Sequence, residues 1–368
     1  MEDGPPSSVT SGERLQLLRK HTATWDSMAY TATVDIPMES GCWDFYGGIF
    51  AEEKQGGLAI TQLPSQLRGI PHLSWELQDI GVDIQDFRVD PAQDLLVIAD
   101  NGPTGPSAHT IHLRSLSTGK PHPSAEPPSA LHYIYPNDDV GLCFHISGNY
   151  LGILFLQQDG SNALVIWDWK SGNIVMESQS DAVRAFCFLS DRHILVAQGD
   201  PTYGVVIVIY DFTPSDNLVS SDLPQPVCVF QYPEMILPYD YKGKPPKIGT
   251  LTIDMFPSPG WTPHPSLSVP FHLDRDQRLI QLTVSFIRHR KAVHFFPISP
   301  FLRQISLYRS SMVATGRQIP WQDWAQNESC MRIWDRPTDF TSVCSVYGTS
   351  RIYCKAHINP NYAGRTRQ

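Results

Sequence analysis

Charge is scarce in this sequence. Asp, Glu, Lys and Arg supply 18% of 368 residues, while 41% are hydrophobic, so a sizeable core is expected under less solvating surface than usual. Positive charge is scarcer still. The 28 Lys and Arg face 37 Asp and Glu, for a formal net charge of −9, which argues against a nucleic-acid binder, because that role needs an excess of cations to neutralise phosphates. No run approaches the roughly 18 apolar residues of a membrane-crossing helix. The opening MEDGPPSSVTSGERLQLLRK has acidic residues first and lacks the apolar stretch of a secretory leader. No membrane contact is expected, and the chain is placed in the cytoplasm or nucleus. The seven cysteines, Cys42, Cys143, Cys187, Cys228, Cys330, Cys344 and Cys354, contain no CxxC pair, so zinc and redox motifs are missing and reduced thiols are expected. GxSxG, the P-loop, GxGxxG and HExxH are also absent. No catalytic, cofactor-binding or metal-ligating residue is therefore assigned, and an enzyme is not expected.

What the chain has in abundance is turn residues, 31 Pro and 25 Gly without a period, which points to a loop-rich β protein. Residues 1–12 are polar and Pro/Ser-rich and read as disordered. Ser11 then precedes GERLQLLRKHTATW, where Leu15, Leu18 and Trp25 fall near one helical face, so a short helix and linker is predicted over 13–30. From 31 to 356 the texture is short apolar runs divided by turns, and 357–368 form a tail.

These runs recur in similar order. VDPAQDLLVIAD, ISGNYLGILFLQ and LSDRHILVAQGD each place a polar turn between two apolar strands, and HTIHLRS, LVIWDWKSG and VIVIYDF come after them in turn. From Trp167 to Tyr210 is 43 positions and from His112 to Trp167 is 55, close to the roughly 40 to 50 residues of a four-stranded propeller blade. A fifth unit is read from IGTLTIDMF, RLIQLTVSF and AVHFFPI, and a sixth from SCMRIWDRP, TSVCSVYG and RIYCKA with IPWQDW ahead of it. The fold expected is all-β, a WD40-like β-propeller of six to seven irregular blades with a short N-terminal helix. Blade strands are covered on both faces, which suits continuous runs such as VVIVIYDF. Asp168, between two tryptophans, then reads as the turn residue leaving a strand.

Two loops offer candidate partner contacts. Trp261 lies in the Pro-rich SPGWTPHPSLSVP, either packed on its own blade or standing out as an interface anchor. Arg288, His289, Arg290 and Lys291 sit between two apolar strands, either a solvated hairpin tip or a basic patch for an acidic partner. Residues 240–310 hold ten Lys or Arg against four Asp, so one side of a negative molecule is locally basic.

ERLQLLRKHTATWDSMAYTATVDIP, WDFYGGIFA, RGIPHLSW, VDPAQDLLVIAD, IHLRSLSTGKPHP, YLGILF, LVIWDWKSG, FLSDRHILV and IPWQDW, in that order over residues 13–354, resemble the C-terminal portion of fungal F-box proteins. The resemblance implies a propeller-like region that recognises a protein substrate of an SCF-type ubiquitin ligase without catalysis of its own. In that family an F-box docks on the Skp1 adaptor of a cullin complex. No leucine- and proline-rich F-box pattern precedes Glu13, so Skp1 and cullin are expected as partners only of a form that carries the module. A propeller scaffold without a ubiquitin link, or an enzymatic propeller with carboxylates or histidines around its channel, are the alternatives.

Overall fold

The computed structural model describes residues 2–3, 9–27, 36, 41–100, 108–135, 140–157, 160–200, 204–212, 223–232, 248–264, 267, 269–274, 277–286, 291–310, 314–325, 330–334, 342–347 and 350–355. A two-residue strand β1 (Glu2–Asp3) pairs with β19 (Phe271–His272). Helix α1 spans Ser11–Ser27. Its cap is Thr10. The Thr10 Oγ1 accepts from the Glu13 N–H at 3.3 Å, while the Glu13 carboxylate accepts from the Thr10 N–H at 2.8 Å, a reciprocal capping box. Arg14, Leu17, Leu18, His21, Thr24 and Trp25 make the half-buried stripe. Of the three residues assigned to one face, Leu18 and Trp25 lie in this stripe, while Leu15 points outward at 48% exposure.

After α1 the described residues build five four-stranded antiparallel blades. Blade 1 is β2 (Trp43–Tyr46), β3 (Ile49–Lys54), β4 (Gly57–Gln62) and β5 (Leu73–Leu77). Blade 2 is β6 (Ile84–Asp90), β7 (Leu95–Asp100), β8 (Ala108–Ser115) and β9 (Ala130–Ile134). Blade 3 is β10 (Gly141–Ser147), β11 (Tyr150–Leu156), β12 (Ala163–Asp168) and β13 (Asn173–Gln179). Blade 4 is β14 (Val183–Phe188), β15 (His193–Asp200), β16 (Gly204–Asp211) and β17 (Pro226–Gln231).

Blade 5 is β18 (Ile248–Met255), β20 (Leu279–Phe286), β21 (Lys291–Pro297) and, far downstream, β23 (Cys330–Trp334). Between β21 and β23 lie α2 (Ser299–Arg309), β22 (Arg317–Ile319) and the short helix α3 (Trp321–Trp324). This insertion explains the difference from the expected blade count. SCMRIWD closes blade 5 instead of opening a sixth, and IPWQDW adds to blade 4, where β22 pairs in parallel with β17. Toward the C-terminus, β24 (Ser342–Tyr347) and β25 (Ser350–Lys355) form a separate two-stranded sheet.

Blade 3 shows how the sequence dictates the unit. The run LVIWD is buried through Trp167, and Asp168 then accepts the backbone N–H of Lys170 at 3.0 Å and of Ser171 at 3.4 Å, the side-chain turn that aspartate favours. Gly172 completes the hairpin at φ +72°, a left-handed conformation that glycine adopts without strain. Trp169, 1% exposed, donates from its indole to the Gly148 carbonyl at 3.0 Å. Both tryptophans are packing residues.

Each interior seam between consecutive blades has its own apolar cluster. Tyr46, Ile60, Phe87 and Ile98 lie between blades 1 and 2, and Val97, Ile111, Phe155 and Trp167 between blades 2 and 3. Ile166, Phe186, Val196 and Val208 fill the next seam, and Cys187, Ile207, Ile253 and Leu282 that of blades 4 and 5, which Phe301 and Trp324 extend outward.

Candidate functional site

The innermost strands β2, β6, β10, β14 and β18 surround the central channel, and the segment leaving β18 crosses one end of it. The Ser258 N–H donates to the Tyr46 hydroxyl at 2.9 Å, the Gly260 N–H to Ser147 Oγ at 3.3 Å, and the buried Arg278 Nη1 to the Ser258 carbonyl at 2.6 Å. Blades 1, 3 and 5 are thus tied together. Trp261, 7% exposed, seals the crossing against Tyr46 with ring centroids 6.2 Å apart. Gly47 beside it, at φ +59°, leaves no room for a β-carbon against Pro91.

Just beneath, Tyr46, Arg88, Val89, His145, Ile146, Met255, Phe256 and Ser258 line a small cavity. Arg88 donates from Nη1 to Asp44 Oδ1 at 2.8 Å, and the other Asp44 oxygen accepts the Val89 N–H at 2.8 Å. The guanidinium lies 5.3 Å from the Phe256 ring centre and 5.7 Å from that of Tyr46. Burial opposes its charge, yet Asp44 and Asp254 outweigh burial and raise its pKa. Burial likewise raises the Asp86 carboxyl, with the Asp44 charge adding to it.

Cys143 and His145 are two positions apart on β10, with Sγ 3.6 Å from Nε2. In outline this is a thiol–imidazole pair, but its electrostatics oppose nucleophile chemistry. Burial, helped by the Asp254 charge, pushes the Cys143 thiol up to about 12. Burial and then Arg88 push the His145 imidazole down to about 3. A reactive cysteine needs the reverse, a depressed thiol beside a cation or an imidazolium. Cys42, near Asp86, is also pushed up to about 12 by burial first. Among the described residues no three His, Cys, Asp or Glu are grouped to hold a metal ion, and no helix is long and apolar enough to cross a membrane.

The residues singled out in the sequence are placed apart. Trp261 packs into the blade 1–blade 2 cluster, so its loop closes the channel rather than presenting an anchor. Arg288, His289 and Arg290 lie outside the described residues. Lys291 opens β21, its backbone opposite Ser285, at the end of blade 5 where β18 starts, while Trp261 follows the end where β18 finishes. The Asp44–Arg88 pair and the Cys143–His145 contact were not anticipated. Their signal is a charged or polar residue within a short apolar run, as in WDFY and IQDFRVD.

No family model and no curated protein matches the chain. Among solved structures it is similar to Hsv2 of Kluyveromyces lactis, at 11% identity over 72% of this chain and 70% of that one, with a TM-score of 0.34. It is similar to protein lmo1340 of Listeria monocytogenes EGD-e, at 7% identity over 73% and 66% with a TM-score of 0.36. Oligopeptidase B of Leishmania major matches at 10% over 68% and 31%, with a TM-score of 0.31. Likeness at this level carries no argument about function.

Proposed function

We propose that this protein is a non-catalytic β-propeller that holds a protein partner, and that it serves as the substrate-recognition part of an F-box-type ubiquitin ligase. The propeller fold is consistent with an interaction scaffold. The observation that carries the non-catalytic reading is the channel chemistry. The thiol and imidazole nearest to forming a reactive pair are displaced in opposite directions, each toward its uncharged form, and one end of the channel is closed by the Trp261 segment. The mechanism is positioning, with loops at the blade ends orienting a partner for modification by another subunit. The ligase assignment rests on the sequence resemblance and would place the protein in the cytoplasm or nucleus.

Affinity purification of the full-length protein from its own cells tests the assignment. Recovery of Skp1 and a cullin with the protein is expected. Their absence under conditions that retain other partners sinks the ligase reading and leaves the scaffold. An enzymatic reading has one observation in its favour, the gathering of Asp44, Asp86 and Asp254 around Arg88. Saturation of Asp44 by Arg88 and the Val89 N–H speaks against Asp44 as an acid or base.

A further inference from the structure

Beneath the insertion that covers blade 4 lies an ionisable group that the channel chemistry does not use. His294 of β21 is 1% exposed, and its Nδ1 lies 2.8 Å from the hydroxyl of Tyr232, the residue that follows β17. Its ring stacks on Phe296 with centroids 4.6 Å apart, and Trp321 of α3 leans over it at 5.0 Å. Tyr232 and Phe296 are buried and Trp321 is half-buried, so Trp321 forms the side of this aromatic box nearest solvent. One imidazole thereby joins blade 5, the outer strand of blade 4 and the insertion. Among the described residues, Tyr232 is the ionisable side chain that touches it. Its register partners are Leu282 of β20 and Met331 of β23, while Arg317 of β22, Asp323 of α3 and Arg303 and Arg309 of α2 are exposed. No carboxylate among the described residues touches the ring to balance a positive charge.

We propose that His294 is an acid-operated latch: a proton taken up by its imidazole releases the β22–α3 cover from blades 4 and 5 while the blades themselves stay folded. The neutral ring can accept the Tyr232 O–H at Nδ1. In the imidazolium both nitrogens donate, so that bond must reverse, and a charge then stands among aromatic faces whose cation–π attraction offsets part of the lost hydration. Burial pushes the imidazole down to about 4, whereas a solvated one takes its proton near pH 6.5. The latched form therefore refuses a proton that the released form accepts. The cover is held above pH 6.5 and loosens as pH falls, and from pH 7.5 to 5.0 the ratio of released to latched molecules should rise about thirtyfold. The cover is the element suited to yield. It has three residues of parallel pairing and one short helix of four residues, against seven paired positions between β20 and β21, and local opening is drawn from such weakly held parts. Release bares the edge of β17, and because Trp321 and Trp324 must leave their contacts it stays rare at neutral pH. The inference rests on this packing alone and is independent of any partner.

Hydrogen exchange of the folded protein at pH 7.5 and 5.0, corrected for the intrinsic rate at each pH and read residue by residue by mass spectrometry, tests it. The Gly316 and Ala325 amides donate to the Pro226 and Trp321 carbonyls. Their protection should fall about thirtyfold, while at pH 5.0 the amides of β16 stay at least about a hundredfold better protected than either. In His294→Gln, which keeps an acceptor for Tyr232 without a titrating ring, and in His294→Phe, the fall should be less than about threefold. A wild-type fall below about threefold overturns the proposal, as does an undiminished fall in either folded variant. Equal protection of β16 and the cover at pH 5.0 also overturns it, because the whole ring would then be opening.

Discussion

Replacing Gly152 with alanine adds one methyl group to β11, and a strand ordinarily welcomes that change. Relief of glycine's backbone entropy would favour alanine by about 0.5–1 kcal/mol. Here the geometry reverses the sign. The new β-carbon would stand 2.6 Å from Phe186 Cε2, 2.7 Å from Phe186 Cζ and 3.4 Å from Phe188 Cζ. Phe186 is 0% exposed and held from its other sides, with ring centroids 4.9 Å from His145 and 6.1 Å from Phe188. It cannot swing away without disturbing the seam of blades 3 and 4. Overpacking of this kind costs about 1–3 kcal/mol, so a net loss of about 1–2 kcal/mol is expected in urea unfolding followed by tryptophan fluorescence. The cause is then isolated by a cycle. Phe186→Leu alone leaves a void, and in the double variant the alanine methyl occupies it, so the pair should be less destabilised than the sum of the singles by at least about 1 kcal/mol. A neutral or stabilising Gly152→Ala, or a coupling below about 0.5 kcal/mol, would refute the packing described between these blades.

Trp261→Ala should cost about 3–5 kcal/mol, the range for deleting a buried large aromatic, with the loss seen in the same unfolding assay. A loss under 1 kcal/mol would mean that the channel end is not sealed as described. Asp44→Ala strands the Arg88 guanidinium and the Val89 N–H, and because Arg88 keeps 22% side-chain exposure the expected loss is about 2 kcal/mol, below the range for fully buried pairs. His145 and His294 are pushed down to about 3 and about 4 by burial, so the folded state resists protonation that the unfolded chain accepts near pH 6.5. Their contribution is complete above pH 6.5 and fades as pH falls from there toward 4, by roughly 1.4 kcal/mol per pH unit for each residue. Urea midpoints measured between pH 7.5 and 4.5 should drop, with the His294→Phe variant showing a shallower slope, and an unchanged slope would count against its burial. With its thiol near 12, Cys143 holds a thiolate fraction at pH 8 of about one in ten thousand, against roughly a quarter for a free cysteine. Iodoacetamide should therefore modify it at least a hundredfold more slowly than in the urea-unfolded chain, and comparable rates would reopen a nucleophilic role.

The repeating part of the fold was legible because each blade announces itself locally. VDPAQDLLVIAD, SGNYLGILF and SDRHILV carry hairpin turns with Asp, Gly or Ser between runs that are buried on both faces, and these became the β6–β7, β10–β11 and β14–β15 pairs. Three strands of blade 5 were read from IGTLTIDMF, RLIQLTVSF and AVHFFPI, and its outer strand escaped because α2, β22 and α3 separate it from them, and no local pattern reveals that CMRIW pairs with a strand more than thirty positions earlier. Helix α1 was found, with Leu18 and Trp25 on its half-buried face as expected and Leu15 off it. Its apolar positions are too few to fix a face, and the half-buried stripe includes Arg14, His21 and Thr24, whose stems can line a contact as well as leucine can. The channel residues were least visible. Asp44 and Arg88 are brought together across 44 positions by blade packing, and nothing in either neighbourhood names the other.

The parallel strand β22 bears on solubility. Among the outer strands, β17 has the sequence PVCVFQ, without a charge, and Val227, Cys228 and Phe230 are buried. Left bare, such an edge would template the addition of another chain's strand. The protein covers it with Arg317–Ile319 and with Trp324, whose ring centre lies 5.2 Å from that of Phe230 and whose indole donates to the Gln231 carbonyl at 3.1 Å. The outer strands of blades 1, 2 and 3 carry Glu76, His132 and Glu177, polar residues that discourage stacking. Removing the segment from Gly316 to Ala325 would thus uncover an apolar strand edge able to template another chain's strand, so resistance to aggregation depends on a stretch that contributes only three residues to the sheets.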